Sequence, residues 1–200
     1  MYQLPPQFLY LRLKGNVILL FNVFAMKFFT YLILLCSMGT YCQDIETISW
    51  AGTTINDRIA LTTSYKDFQK MGRRPDSLAV ATPEDICGKK NMEGAQILYF
   101  KGVKYLFKDD TLMFRSVDFS KRKYMYLATQ NDWFDHTTTF KAFAKAYPGS
   151  AAFPDYEENE DGQEYDMYTM LPEEAKDDSE WRFYFLNGKL HHVDYWTPCE

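Results

Sequence analysis

The 200-residue chain is 46% hydrophobic and 18% aromatic, enough to bury a core, so an unstructured polar chain is excluded as the starting expectation. The net charge is −5; residues 1–42 hold three of the 22 bases (Arg12, Lys14 and Lys27) and none of the 27 acids, which leaves the remainder at −8. Phosphate recognition requires clustered Lys and Arg, so no nucleic-acid partner is expected.

Residues 26–42 read as a signal peptide. Met26-Lys27 is a short charged start, Phe28 to Cys36 an apolar stretch, and Ser37 to Cys42 a small or polar segment before the expected cleavage site after Cys42. Residues 1–25 are then a spurious extension from a misassigned start, and the mature protein is periplasmic or secreted. Two alternatives stand beside this. Residues 17–38 are apolar enough to act as a retained membrane anchor. Lipidation could fall on Cys36 or Cys42, although Leu35 and Tyr41 occupy positions where a lipidation site wants a small residue. Cleavage leaves Cys87 and Cys199, for which an oxidising compartment allows one intramolecular disulfide. Two unpaired buried thiols are the equal alternative.

Along the mature chain, Ile45–Trp50 and Arg58–Thr62 are expected strands, joined through Gly52 and the turn-forming Asn56-Asp57. Ser64 stands as a helix N-cap with Asp67 three residues on; Tyr65, Phe68 and Met71 share one apolar face, and Gly72 ends the helix. Leu78–Ala81 is a short strand, followed by a helical turn opened by Thr82-Pro83. Gln96–Phe107 and Thr111–Phe119 are long strands turning at Asp109-Asp110, with Gly102 marking a bend or bulge. After a strand at Tyr124–Ala128, a second helix opens within Asp135–Phe140, capped by a threonine, with Phe140, Phe143 and Tyr147 inward and Pro148-Gly149 as its stop. Asp155–Glu164 is an acidic loop, Tyr165–Met170 a strand, and Trp181–Trp196 a hairpin about Asn187-Gly188, whose φ > 0 pair suits a tight type I′ turn.

The two long hairpins share an irregularity. In the first, Leu112 and Phe114 lie on even positions but Val117 and Phe119 on odd ones; in the second, Leu190 is even while Val193 and Tyr195 are odd. A strand keeping one apolar face can change parity only through an inserted residue, which predicts β-bulges near Arg115-Ser116 and at His191-His192. The spacing of matching residues, 75 from Tyr65 to Phe140 and 76 from Val117-Asp118 to Val193-Asp194, predicts two tandem repeats. The expected fold class is therefore α+β, each repeat a helix packed on an antiparallel sheet, spanning residues 43–128 and 129–200.

Ser64-Tyr-Lys-Asp-Phe-Gln-Lys-Met-Gly-Arg-Arg-Pro-Asp76, with the hairpins after it, resembles the opening of tandem α+β domains of the β-lactamase inhibitor protein family and the small SmpA/OmlA-like outer-membrane lipoproteins. It departs from their Gly-x-Pro-Asp pattern by the extra Arg before Pro75 and by Pro148-Gly149 in the second copy. The resemblance implies a protein-binding or envelope-assembly role.

Catalytic motifs are not found: neither a Gly-x-Ser-x-Gly nor a glycine-rich phosphate loop occurs, and no cofactor or metal is expected. His191-His192 tempts as a metal pair, but adjacent strand residues face opposite ways unless a bulge intervenes. The acidic stretch around Glu157, Asn159 and Asp161-Gly162 matches a calcium loop only loosely, since Tyr168 stands where a bidentate Glu is needed. The excess of aromatics on predicted strands points to a binding face carrying Tyr105, Tyr126, Tyr184, His192, Tyr195 and Trp196. The expected function is an exported, non-enzymatic module that binds a protein partner in the envelope or outside the cell, in the manner of an inhibitor or immunity protein. An envelope assembly factor is the alternative, and an unrecognised hydrolase a further one.

Overall fold

In the computed structural model the described residues are 45–87, 92–159, 162–174 and 178–199. The segments expected to be an extension (1–25), a signal peptide (26–42) or a membrane anchor (17–38), and the candidate lipidation sites Cys36 and Cys42, lie outside the described residues. Among the described residues no helix is long and apolar enough to cross a membrane.

The hairpins form where turn chemistry and parity place them. Strand β7 (Val103–Lys108) turns into β8 (Thr111–Asp118) through Asp109 and Asp110, both at positive φ, and β13 (Glu180–Leu186) turns into β14 (Lys189–Trp196) through Asn187-Gly188. Both bulges are present. Lys104 pairs with Ser116 and Tyr105 with Phe114, which leaves Arg115 unmatched; Tyr184 pairs with His192 and Phe185 with Leu190, which leaves His191 unmatched. Each extra residue lets the strand keep its apolar side chains on one face despite the parity change.

The expected fold class is corrected by the strand order. Strand β14 pairs antiparallel with β8, His192 opposite Asp118 and Asp194 opposite Ser116, so the two hairpins belong to one ten-stranded sheet. That sheet runs β1 (Thr47–Ile48), β12 (Glu164–Pro172), β13, β14, β8, β7, β6 (Gln96–Phe100), β5 (Ser77–Val80), with β11 (Asp155–Glu158) also on β12 and β4 (Thr62–Ser64) also on β8. A second, four-stranded sheet is ordered β10 (Trp133–Asp135), β9 (Tyr126–Ala128), β2 (Thr54–Ile55), β3 (Ile59–Ala60). Strands take 46% of the described residues and helices 11%, and among them there are not two helix-on-sheet repeats. The reason is helix length. Helix α1 (Tyr65–Lys70) and helix α2 (Phe140–Ala146) are each under two turns, and each buries one residue fully, Phe68 and Phe143. Two such helices cannot cover a ten-stranded sheet, and the small sheet supplies the rest of the layer.

The layers meet in one core. Phe68 packs edge-on to Phe100 with ring centroids 5.1 Å apart; Phe143 lies 5.1 Å from Phe183 and 5.3 Å from Phe185; Phe134 of the small sheet lies 4.9 Å from Phe183. Ile55, Ile59 and Leu127 of the small sheet join the same cluster as Val103, Phe114, Val117 and Val193 of the large one. Both helices are capped as the sequence predicts: Ser64 accepts from the backbone N–H of Asp67 at 3.0 Å and Thr139 from that of Ala142 at 3.2 Å.

Two local expectations change. Gly102 is no bend within one strand: with Lys101 it forms a two-residue turn, both at positive φ, that splits the segment into β6 and β7. A Cβ at Gly102 would come 2.5 Å from the carbonyl oxygen of Asp118, so the position requires glycine for space as well as for φ. The acidic stretch is no loop at its start either: Asp155–Glu158 pairs along β12 as an edge strand with all four residues exposed. Cys87 and Cys199 form a disulfide, with Cα atoms 4.4 Å apart and 112 residues between them in sequence.

Candidate functional site

The helices and the small sheet pack on one face of the large sheet, and Ala81, Ile86 and Met92 pack on part of the other, over Ile97 and Leu106. Strand alternation and the two bulges decide what the other face presents. One cross-strand row runs Thr169, Arg182, Asp194, Ser116, Lys104, Tyr99, and the next runs Met167, Tyr184, His192, Asp118. Trp196 pairs with Glu180 in a third row. This outer face is flanked by two small apolar clusters, one of Ala95, Ile97 and Leu106 and the other of Tyr165, Met167 and Tyr184.

The polar groups are locked by stacking as well as by hydrogen bonds. The Arg182 guanidinium lies 3.9 Å from the Trp196 ring centroid, and its Nε donates to Glu180 at 2.7 Å, with both side chains largely buried. Tyr184 stacks on His192 with centroids 4.0 Å apart and planes 12° from parallel, and its hydroxyl donates to Glu157 at 3.1 Å. The bulge turns both histidine rings toward Tyr165, at 5.1 and 5.3 Å, and brings their Nδ1 atoms to 3.0 Å from each other. Among the described residues no group of three or more His, Cys, Asp or Glu is arranged to hold a metal ion.

Burial shifts the titrations. His192 is pushed down to about 4, first by desolvation and then by His191, with Asp118 opposing. Asp194 is pushed up to about 7 by desolvation, with Glu157 adding to the rise and Lys104, Arg115 and Arg182 working against it. Desolvation lowers the bulged Arg115, whose Nη1 is buried without a hydrogen-bond partner among the described residues. Burial would also lower Arg182, but the hydrogen bond and charge of Glu180, together with Tyr184, outweigh this and raise it. Burial thus favours the uncharged form of both His192 and Asp194, while Glu180 helps hold Arg182 as a cation.

The six residues expected on one binding face are distributed over three places. Tyr184, His192 and Trp196 share the outer face; Tyr184 is buried and holds His192 and Glu157 in place, while the other two are partly exposed. Tyr195 points the other way, into the core layer against Trp50 at 4.5 Å and Trp181 at 5.0 Å. Tyr105 is fully buried beside Phe68 and Phe114. Tyr126 lies on the small sheet and donates to Asp57 at 2.7 Å. Of the acidic stretch, Glu157 accepts from Tyr184 and Asn159 from the backbone of Gln163, and Asp161 lies outside the described residues. The residues not anticipated are Lys104, Arg115, Arg182 and Asp194, which the pairing of β14 with β8 brings together. No protein-family model matches the chain, and neither a curated protein nor a solved structure is similar enough to it to count as a match.

Proposed function

We propose that the protein is an exported, non-enzymatic module that binds a protein partner through the outer face of its large sheet, in the manner of an inhibitor or immunity protein. The observation that carries this reading is the Arg182 guanidinium stacked on Trp196 on the outer face, with His192 on the same face; Trp and Arg are residue types that dominate the energetics of protein interfaces. Export is supported by the Cys87–Cys199 disulfide, a bond that persists in oxidising compartments. The inhibitor-like part of the reading rests on the resemblance carried by Ser64–Asp76. Affinity capture from envelope and extracellular extracts tests it. One soluble partner retained by the native protein, and lost on Arg182→Ala with Trp196→Ala, is the expected result; co-purification with a membrane assembly would favour an assembly factor instead.

A further inference from the structure

The small sheet has an outer face of its own. Strands β9 and β10 pack through Leu127 and Phe134 on the core, so the alternate residues Tyr126, Ala128, Trp133 and Asp135 point away from the large sheet. Ala128, directly opposite Trp133, is small and nearly buried, and leaves a floor between larger side chains. Above it is a hollow of about 490 Å³, bounded by Tyr126 and Trp133, by Asp57 and Asp135, and by the Thr129–Asp132 turn. Trp133 is 65% exposed, an unusual placement for an indole on a paired strand.

The hollow is fixed from below. Asn56 and Asp57 are both at positive φ and clasp β9: the Asn56 amide oxygen accepts from the Tyr126 N–H at 2.9 Å, and Asp57 accepts from the Tyr126 hydroxyl. Thr129 and Asp132 close their turn by three hydrogen bonds of 2.8 to 3.0 Å, and Asp132 Oδ1 accepts from the Trp133 N–H at 2.8 Å. Asp135 Oδ1 accepts from the backbone and hydroxyl of Thr137. Each of the three carboxylates thus has one oxygen committed to holding the wall, and none of the described residues lining the hollow is a Lys or Arg.

Two ring walls and three carboxylates, with Arg58 beside Asp57 as the neighbouring cation but no Lys or Arg in the lining itself, suit a cation held over an aromatic face. We propose that this hollow is a second binding site, separate from the outer face of the large sheet, that takes a single cationic side chain, Arg or Lys, projecting from a polypeptide partner. Trp133 and Tyr126 supply the rings, and Asp57, Asp132 and Asp135 supply the charge.

The probe is a pentapeptide with one central arginine between glycine and serine residues, titrated into the full chain and followed by indole fluorescence and backbone chemical shifts. Its control is the same peptide with citrulline, which keeps the shape and removes the charge. Saturable binding of the arginine peptide is expected. It should weaken by about tenfold in Trp133→Ala and by a similar factor in Asp57→Asn with Asp132→Asn, with little response to citrulline. The asparagines keep the oxygens that Tyr126 and Trp133 use, and asparagine tolerates the positive φ at position 57, so a loss of binding reports lost charge. Equal affinity in wild type and both variants, equal binding of the citrulline peptide, binding of a neutral oligosaccharide at the same shifts, or no binding at millimolar peptide would each overturn the proposal.

Discussion

Opening the Cys87–Cys199 bridge should cost this fold a large part of its stability. The bond closes 112 residues, a span that includes β6 to β14. Loop-closure entropy for that length gives about 4–5 kcal/mol at 25 °C, to be set against the roughly 5–15 kcal/mol by which domains are usually stable. The bridge also joins the segment below β6, where Ile86 and Met92 pack on Ile97 and Leu106, to the chain leaving β14. The perturbation is Cys87→Ser with Cys199→Ser, compared with the native protein with and without reductant. The assay is urea unfolding followed by both tryptophan fluorescence and far-ultraviolet dichroism. The midpoint should fall by the equivalent of about 4–5 kcal/mol, or about 10–20 °C in Tm for a chain of this size. A loss under about 1 kcal/mol, or unchanged electrophoretic mobility on reduction, would refute the reasoning.

Three further outcomes follow from the geometry. Phe143→Ala empties the contact between α2 and strand β13 and should cost about 3–5 kcal/mol in the same unfolding assay; a loss below about 1 kcal/mol would show that the short helix is not needed to close the core. Gly102→Ala places a Cβ against the Asp118 carbonyl at φ +88° and should cost more than the ~1–2 kcal/mol of the left-handed backbone alone, read by unfolding; a neutral effect would mean that the turn can shift. Burial pushes the Asp194 carboxyl up to about 7 from its ordinary value near 4, so the folded state binds its proton more tightly and its contribution to stability falls as pH rises from about 4 to about 7. Asp194→Asn should therefore gain stability relative to wild type as pH is raised across that window, and a pH-independent difference would contradict the burial of this carboxyl. His192, pushed by burial down to about 4 from its ordinary value of 6.5, acts in the opposite sense, adding stability as pH rises from about 4 to 6.5, so only the difference between variant and wild type isolates Asp194.

What could be read from the sequence was local. The turns at Asp109-Asp110 and Asn187-Gly188, the cap at Ser64, a threonine cap for the second helix and both bulges follow from residue chemistry and parity over a few positions. The layer arrangement depends on contacts far apart in sequence. Nothing in β14 states that its neighbour is β8, and the two- and three-residue strands of the small sheet are too short to show a period. Lys101 in a left-handed turn has no side-chain signature, and the exposed, charged edge strand β11 reads as a loop because its pairing comes from β12 alone. At the site, alternation by itself sets Tyr195 and Trp196 on opposite faces, so the sixfold set could not share one surface. Arg182 and Asp194 are opposite each other in the hairpin register, whereas Lys104 and Arg115 join them only through the β14–β8 pairing.

The central claim, that the outer face of the large sheet around Arg182 and Trp196 is where a partner binds, is tested most directly by measuring the affinity of the captured partner for the native protein, for Arg182→Ala with Trp196→Ala, and for Tyr124→Ala. Tyr124 is 91% exposed and precedes β9 of the small sheet, so it reports on the opposite layer. Loss of the stacked pair should weaken binding by at least about 30-fold, the equivalent of one interface hot spot, with Tyr124→Ala unchanged and all three proteins equally folded by near-ultraviolet dichroism. Equal affinity in the native and double-variant proteins would contradict the account.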